Sequence, residues 1–317
     1  MNVNPLRKDV VIIGGGIAGI TAAMYASMMA LDTVVIQKTP FLGQIPESSM
    51  RKNYPGLSNV TGEELARNIE TQVKKDFSIE IKREEALDIV LNSGGVPHRF
   101  LVKTDYGNYL ARTVILASGS RPKDIGVEDS NLKGISYYPM YDADEFEDKD
   151  VVIVGLSDAA VQFISWLLPI ATTVTLVEKK AHPRVSPMNL ELLEDLVRDN
   201  MEKIRFHREC SLTSFLGTTH VEGITIHHEA EDRDITIQTG AVILCSGRIP
   251  NSELGLKIGC DCSRKGFIIV DRNQRTNIPG LFAVGDVAGV VFAAVKSAGE
   301  GCVAGIKAAD FLSTGNW

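Results

Sequence analysis

Three glycines, Gly14, Gly16 and Gly19, follow the apolar run at residues 10–13 at GxGxxG spacing. That spacing suits phosphate binding: the first glycine permits a tight turn, the second lets backbone approach a pyrophosphate, and the third lets a helix lie close on a sheet. A helix predicted over residues 17–29 begins with Ile17 and Ala18, where free N–H groups face the phosphates. Strand before and helix after supply the context that the motif requires. The next predicted strand, residues 33–36, ends at Gln37, where a dinucleotide places its adenosine ribose. Glutamine still hydrogen-bonds a hydroxyl there, without the charge of the usual Asp or Glu.

The pattern recurs. Residues 151–154 form a second apolar run, Gly155, Ser157 and Asp158 a second turn, and residues 161–168 a second helix. A strand at residues 174–177 then ends at Glu178, Lys179 and Lys180, with Arg184 four residues on. This internal repeat predicts two nucleotide-binding units. Between the turns lie a helix from about residue 61, opened by a capping box with Glu64, and strands at residues 79–92, 99–104 and 109–116. Residues 242–251 echo residues 114–122, so the chain leaves its first domain and returns to it. A strand is predicted at residues 267–270, another ends on Gly285-Asp286, and residues 296–312 form the last helix. Asp286 suits a hydrogen bond to the ribityl chain of a flavin.

A chain of 317 residues fits about two domains of ~100–200 residues each. The net charge of −7 and the lack of any Lys/Arg block longer than two argue against nucleic acid or an anionic membrane as main partner. Asp9 and the glycines break the first apolar stretch, which reads as strand, loop and helix, so the expectation is a cytoplasmic protein with no membrane span. The five cysteines are odd in number and lack zinc-ligand spacing, so no metal site is expected. Cys260 and Cys262 form the only close pair. They are either a strained, readily reduced CxC or two small loop residues.

Gly14 to Gly19, Gly43-Gln44, Asn53-Tyr54-Pro55-Gly56, Ala117-Ser118-Gly119, Gly285-Asp286 and the run from Ser297 to Cys302 together resemble the low-molecular-weight thioredoxin reductases over nearly the whole chain. The resemblance implies an α/β fold of two Rossmann-like dinucleotide-binding domains, with an FAD domain (residues 1–117 and 248–317) split around an inserted NAD(P)-type domain (residues 118–247). It also implies a homodimer and non-covalent FAD. Carried over to this chain, the FAD site comprises Gly14, Gly16, Ile17, Ala18, Gly19, Gln37, Gly43, Gln44, Ile45, Asn53, Ala117, Ser118, Gly119, Gly285, Asp286, Phe292, Ala293 and Ala294.

The chemistry of the family does not carry over intact. Where thioredoxin reductases hold Cys-x-x-Cys-Asp, this chain has Tyr138-Pro-Met-Tyr141-Asp142, and tyrosine cannot exchange disulfides. The two phenols either fill the vacated space or stack on a planar ligand. In the second nucleotide site Ser157 replaces the middle glycine, and Asp158 brings a carboxylate towards the phosphates. The family's His-Arg-Arg-x-x-x-Arg clamp is matched by Glu178, Lys179, Lys180 and Arg184, a set less suited to a 2′-phosphate. Phe292-Ala293-Ala294 stands where the family has Arg-Gln-Ala.

The reading is therefore an FAD-dependent oxidoreductase that has left the NADPH-to-thioredoxin path and resembles the pyridine-nucleotide-independent branches of its family. One form of that reading places a second FAD where NAD(P)H would lie, with an electron-transfer protein or a disulfide/thiol partner. The alternatives are an NAD(P)H-dependent, ferredoxin reductase-like flavoenzyme and a non-catalytic flavin-binding redox sensor.

Overall fold

A computed structural model describes residues 4–38, 40–46, 54–57, 60–92, 99–123, 125–127, 132–137, 145–181, 185–245, 247–289 and 291–317. The chain forms two compact units, Met1–Arg121 with Ile249–Trp317, and Pro122–Arg248. It leaves the first unit after Arg121, not after residue 117. Residues 118–120 are held in the first unit: Ser118 Oγ donates to the Asn251 carbonyl at 2.6 Å, and Ser120 Oγ to Asp286 Oδ2 at 2.8 Å.

The first unit opens with β1 (Leu6–Ile13), α1 (Ile17–Met28), β2 (Thr33–Ile36) and α2 (Gly62–Asp76). Then come β3 (Glu80–Lys82), β4 (Ala86–Leu91), β5 (Phe100–Thr104) and β6 (Asn108–Leu116). The expected capping box is present: Glu64 N–H donates to Thr61 Oγ1 at 3.1 Å, and Thr61 N–H to Glu64 Oε2 at 2.9 Å. The single strand expected over residues 79–92 is two strands. Glu84 N–H still follows β2, donating to the Gln37 carbonyl, but Glu85 N–H turns to the Asp105 carboxylate, so β3 runs parallel to β2 while β4 pairs antiparallel with β5.

The chain then passes through β7 (Ser120–Pro122), β8 (Ile135–Ser136), β9 (Asp150–Val154), α3 (Asp158–Leu167), β10 (Thr173–Glu178), α4 (Pro187–Asp199) and β11 (Ile204–Arg208). An antiparallel meander of β12 (Cys210–Gly217), β13 (Val221–His228) and β14 (Arg233–Gln238) leads to β15 (Ala241–Leu244) and β16 (Arg248–Pro250). Back in the first unit follow α5 (Glu253–Ile258), β17 (Leu281–Ala283) and α6 (Ala294–Thr314). No strand forms at residues 267–270; Ile268 makes only an isolated bridge to Cys262.

The main sheet of the first unit runs β3-β2-β1-β6-β5-β4, with β17 also on β6. Alternation along β1 divides its core: Val10 and Ile12 pack with α1 and α6, while Val11 and Ile13 pack on the opposite face. The sheet of the second unit, β11-β10-β9-β15-β8, is parallel throughout. Its strands carry apolar residues on both faces, as a doubly covered parallel sheet requires.

Helix α6 meets α1 backbone to backbone. A Cβ on Gly301 would stand 2.2 Å from the Ala18 carbonyl oxygen, whereas one on Gly299 would meet nothing within 4 Å. Gly301→Ala should therefore lower stability by about 1–3 kcal/mol through overpacking. Gly299→Ala should raise it by up to ~1 kcal/mol through helix propensity. Urea unfolding followed by far-UV circular dichroism compares the pair, and equal midpoints would refute the contact.

Candidate functional site

In the first unit the loop from Gly14 to Gly19 is shaped by contacts that exclude side chains. Gly14 has φ +110°, its N–H donates to the Ile36 carbonyl at 2.8 Å, and a Cβ there would lie 2.2 Å from the Ala117 carbonyl oxygen. A Cβ on Gly19 would lie 1.9 Å from the Gly14 carbonyl oxygen. Gly16 differs: a Cβ there would meet nothing within 4 Å, so the space over it is open. Gly16 is also the N-cap of α1, which has no side-chain cap and no acidic residue in its first turn. The first N–H groups of α1, at Ile17 and Ala18, are thus left without a side-chain cap among the described residues, the condition that anion binding at a helix N-terminus requires.

Gln37 sits at the end of β2 against Gly15. Its Oε1 is buried and has no hydrogen-bond partner among the described residues. A buried acceptor left unpaired costs about 1–3 kcal/mol, and a ribose hydroxyl at this position would satisfy it. The open Gly16, the uncapped α1 and this orphaned oxygen fit the adenosine diphosphate half of a dinucleotide.

The other predicted residues of this unit gather around α1. Leu42, fully buried with φ +63°, donates its N–H to the Gly15 carbonyl and thereby lays Gly43 beside Gly16. Gln44 Nε2 donates to the Ser120 carbonyl at 2.6 Å. Ala117 donates its N–H to Ile13, and Asn251 clamps Ser118 and Gly119 through its own amide groups. Gly285, at φ +76°, would place a Cβ 3.0 Å from that of Ala18, so Asp286 is held close to the first turn of α1. Ala293 is the N-cap of α6 and Ala294 its first residue, again with no side-chain cap. Phe292 is 45% exposed, with its ring 6.2 Å from that of Phe267. Asn53, Tyr138, Tyr141, Asp142 and Arg184 lie outside the described residues.

Sequence reasoning missed several supports. Ser120 ties Asp286, Asn251 clamps the strap after β6, and Leu42 takes a backbone conformation that its residue type does not announce. Lys296 donates to the Gly285 carbonyl at 3.0 Å and pairs with Glu300, which accepts the Gly285 N–H at 2.8 Å. The i,i+4 spacing of Lys296 and Glu300 was a readable signal.

The second unit repeats the loop bond for bond and then fills it. Gly155, at φ +98°, donates to the Val177 carbonyl at 2.8 Å, and a Cβ there would approach the Cys245 carbonyl oxygen at 2.9 Å. Here, however, Ser157 Oγ caps α3 by accepting the Ala160 N–H at 3.3 Å. Asp158 accepts from Ser186 N–H and Oγ and from Asn189 Nδ2, at 2.8–2.9 Å, and these donors hold its carboxyl below the usual range. Glu178 accepts the N–H groups of Leu156 and Lys180. Lys179 pairs with Glu229 at 3.5 Å on an exposed face.

The cysteines behave as packing residues. Cys260 is buried in the core with Cys262 packed against it, and no disulfide joins the two. Burial pushes Cys260 up to about 11 and Cys245 to about 12, and raises Cys262 in the same direction. The neighbouring Cys302 thiol on α6 pushes the Tyr25 phenol of α1 above its usual pKa. At Cys245, Cys260 and Cys262 burial suppresses the thiolate that exchange chemistry needs. Among the described residues no cluster of His, Cys, Asp or Glu is arranged to hold a metal, and no helix is long and apolar enough to cross a membrane.

Two Rossmann-type units, one with an open glycine loop, define the class of an α/β dinucleotide-dependent oxidoreductase. More particularly, the chain belongs to the pyridine nucleotide-disulphide oxidoreductase family, which it matches over residues 8–301. It is an FAD-dependent oxidoreductase with a thioredoxin reductase-like fold. It is 31% identical to the thioredoxin reductase of Mycolicibacterium smegmatis, over 99% of both chains. It is 27% identical to a Clostridium pasteurianum relative known as the 34.2 kDa protein in rubredoxin operon, over 96% of this chain and 97% of the other. The thioredoxin reductase structure from Streptococcus pyogenes superimposes with a TM-score of 0.75 at 28% identity, covering 98% of this chain and 100% of that one.

The thiol environment gives a direct test. At pH 8 a thiol with a pKa of about 11 is thiolate to about one part in a thousand. Iodoacetamide at pH 8 should therefore leave Cys260 and Cys245 unmodified in the native protein, as read by peptide mass spectrometry, and label them after unfolding. Rapid native labelling of Cys260 would restore the redox reading of the CxC pair.

Proposed function

We propose that this chain is a single-FAD flavoenzyme that takes electrons from a reduced carrier protein, not from NAD(P)H, and passes them to the disulfide of a partner, which leaves as a dithiol. The reading rests on one contrast. The N-terminus of α1 is open, whereas that of α3 is capped by Ser157 and shares its first turn with the Asp158 carboxylate. A pyrophosphate approaching α3 would have to displace the cap and meet a like charge, which disfavours NAD(P)H there. The same obstacle applies to a second FAD, so the reading favours one flavin per chain over the diflavin form.

In the first unit the N–H groups of Ile17 and Ala18 would hold the FAD pyrophosphate, Gln37 its adenosine ribose and Asp286 its ribityl hydroxyls. Bound FAD accepts electrons singly or in pairs, which lets one site join a one-electron donor to a two-electron acceptor. The positive pole of α6, with Lys296 in its first turn, would favour the negative charge of a reduced flavin. With no Cys-x-x-Cys in the chain, two electrons and two protons must go directly to the disulfide of the partner, giving two thiols. The Clostridium pasteurianum relative, named for a rubredoxin operon, supports a one-electron iron protein as donor.

A second reading, hydride transfer from NADH to FAD and on to an electron carrier, is favoured by Glu178. It stands where an acid would hold a ribose diol, with its oxygens turned to backbone N–H groups. Two measurements separate the readings: FAD released per chain on denaturation, and flavin absorbance after anaerobic mixing with NADH, NADPH or dithionite-reduced ferredoxin. The expected result is one FAD, bleached by ferredoxin and unchanged by either nucleotide at 1 mM, about the upper end of ordinary KM values. Rapid bleaching by NADH or NADPH would overturn it in favour of the second reading, and two FAD per chain would return the diflavin form.

A further inference from the structure

We propose that Lys296 and Glu300 of α6 are a positioning pair that sets the reduction potential of the flavin, Lys296 favouring the reduced, anionic form and Glu300 opposing it. The inference rests on FAD occupying the first unit and is independent of what donates electrons to it. Three elements meet at one residue. A Cβ on Gly285 would stand 3.0 Å from that of Ala18 and 3.7 Å from Ser297 Oγ, so the starts of α1 and α6 both close on it. Lys296 Nζ donates to the Gly285 carbonyl at 3.0 Å and lies 2.9 Å from Glu300 Oε2. Glu300 Oε2 accepts the Gly285 N–H at 2.8 Å. Cation and carboxylate thus grip the carbonyl and the N–H of the residue before Asp286.

Helix stability does not explain the pair. A lysine in the first turn faces the positive pole of its own helix, which disfavours it, and α6 has neither a side-chain cap nor an acidic residue there to offset the cost. Lysine before glutamate is also the less favourable order at i,i+4 spacing. The side chains are only 24% and 18% exposed, against 73% and 41% for the surface pair Lys74–Glu70, so solvent and salt screen their charges less. Gly289 leaves room for the ammonium, since a Cβ there would fall 3.2 Å from Lys296 Nζ. Two electrons and one proton convert FAD to FADH⁻, which carries one more negative charge. A nearby cation stabilises that charge and a nearby carboxylate destabilises it. Held together on Gly285, the two nearly cancel, and either one alone would move the potential in its own direction.

The test is the flavin midpoint potential of the FAD-loaded protein, read above neutral pH by equilibration with a reference dye, with FAD content and far-UV circular dichroism reporting correct folding. Lys296→Met should lower the potential and Glu300→Gln raise it. Each should change the ratio of affinities for reduced and oxidised FAD about three- to tenfold, as charges at helix ends do, or about 15–30 mV for a two-electron couple. The double variant, which restores charge balance without the ion pair, should return close to the wild-type value. A merely structural brace predicts otherwise: both single variants shifted the same way and the double variant furthest. That pattern, unchanged potentials, or loss of FAD from both single variants would overturn the proposal. If one single variant alone loses FAD, the sign of the other decides. Wild-type protein that binds no FAD would overturn the flavoenzyme reading itself, whereas bleaching by NAD(P)H would alter only the donor and leave these shifts as expected.

Discussion

The first unit depends on how closely α1 is approached from two sides. Gly19 leaves room for the Gly14 carbonyl, while Gly301 and Gly305 bring the α6 backbone against the Ala18 and Ala22 carbonyls, where a Cβ would fall at 2.2 and 2.6 Å. Helices packed through larger side chains stand 8–10 Å apart, and small residues let backbones approach much closer. Because Gly285 also rests on Ala18, the phosphate loop, Asp286 and the start of α6 are fixed relative to one another. Helix α1 itself contributes mostly Ile, Ala and Gly to the contact, so little side-chain freedom remains to blur that placement.

The two units show one backbone design with two outcomes. Gly14 and Gly155 both donate to the end of the second strand of their unit at 2.8 Å, and both pass close to a carbonyl at the end of a neighbouring strand. What changes is confined to a few side chains. Gly16 corresponds to Ser157, Ile17 to Asp158, and Gln37 to Glu178. In the first loop an acceptor stays unpaired and a helix N-terminus open; in the second, each of the equivalent groups has found a partner inside the protein. Asp158 further ties α3 to Ser186 and Asn189 at the start of α4. Reopening the loop would leave these donors without their acceptor, so the filled state is part of the architecture of the unit.

The backbone design was legible from the sequence because it is local: a glycine at φ +110° or +98° after a buried strand has few other uses. The repeat, the capping box at Thr61 and the return of the chain to its first domain followed from the same kind of pattern. The break at residues 83–85 was not visible, since it depends on residues distant in sequence: Gln37 keeps Glu84 on β2, while the Asp105 carboxylate takes the Glu85 N–H. Nor was the position of Leu42, whose conformation is imposed by tertiary packing against its own preference. For Cys260 and Cys262, spacing alone left a redox pair open. Burial of the pair weighs against the redox reading, and burial is a property of the assembled core.

These differences follow from what each site is made of. The cradle in the first unit consists largely of backbone N–H groups, carbonyls and the absence of side chains, so it persists wherever the fold and its glycines persist. Exchange chemistry needs two thiols at one place, and anion binding at α3 needs a helix end that no neighbour has claimed. Each depends on one or two side chains that the core does not constrain. A chain sharing 31% of its residues with a thioredoxin reductase therefore keeps the architecture for the flavin most securely. Its donor and acceptor are set by the fewer side chains that surround that architecture.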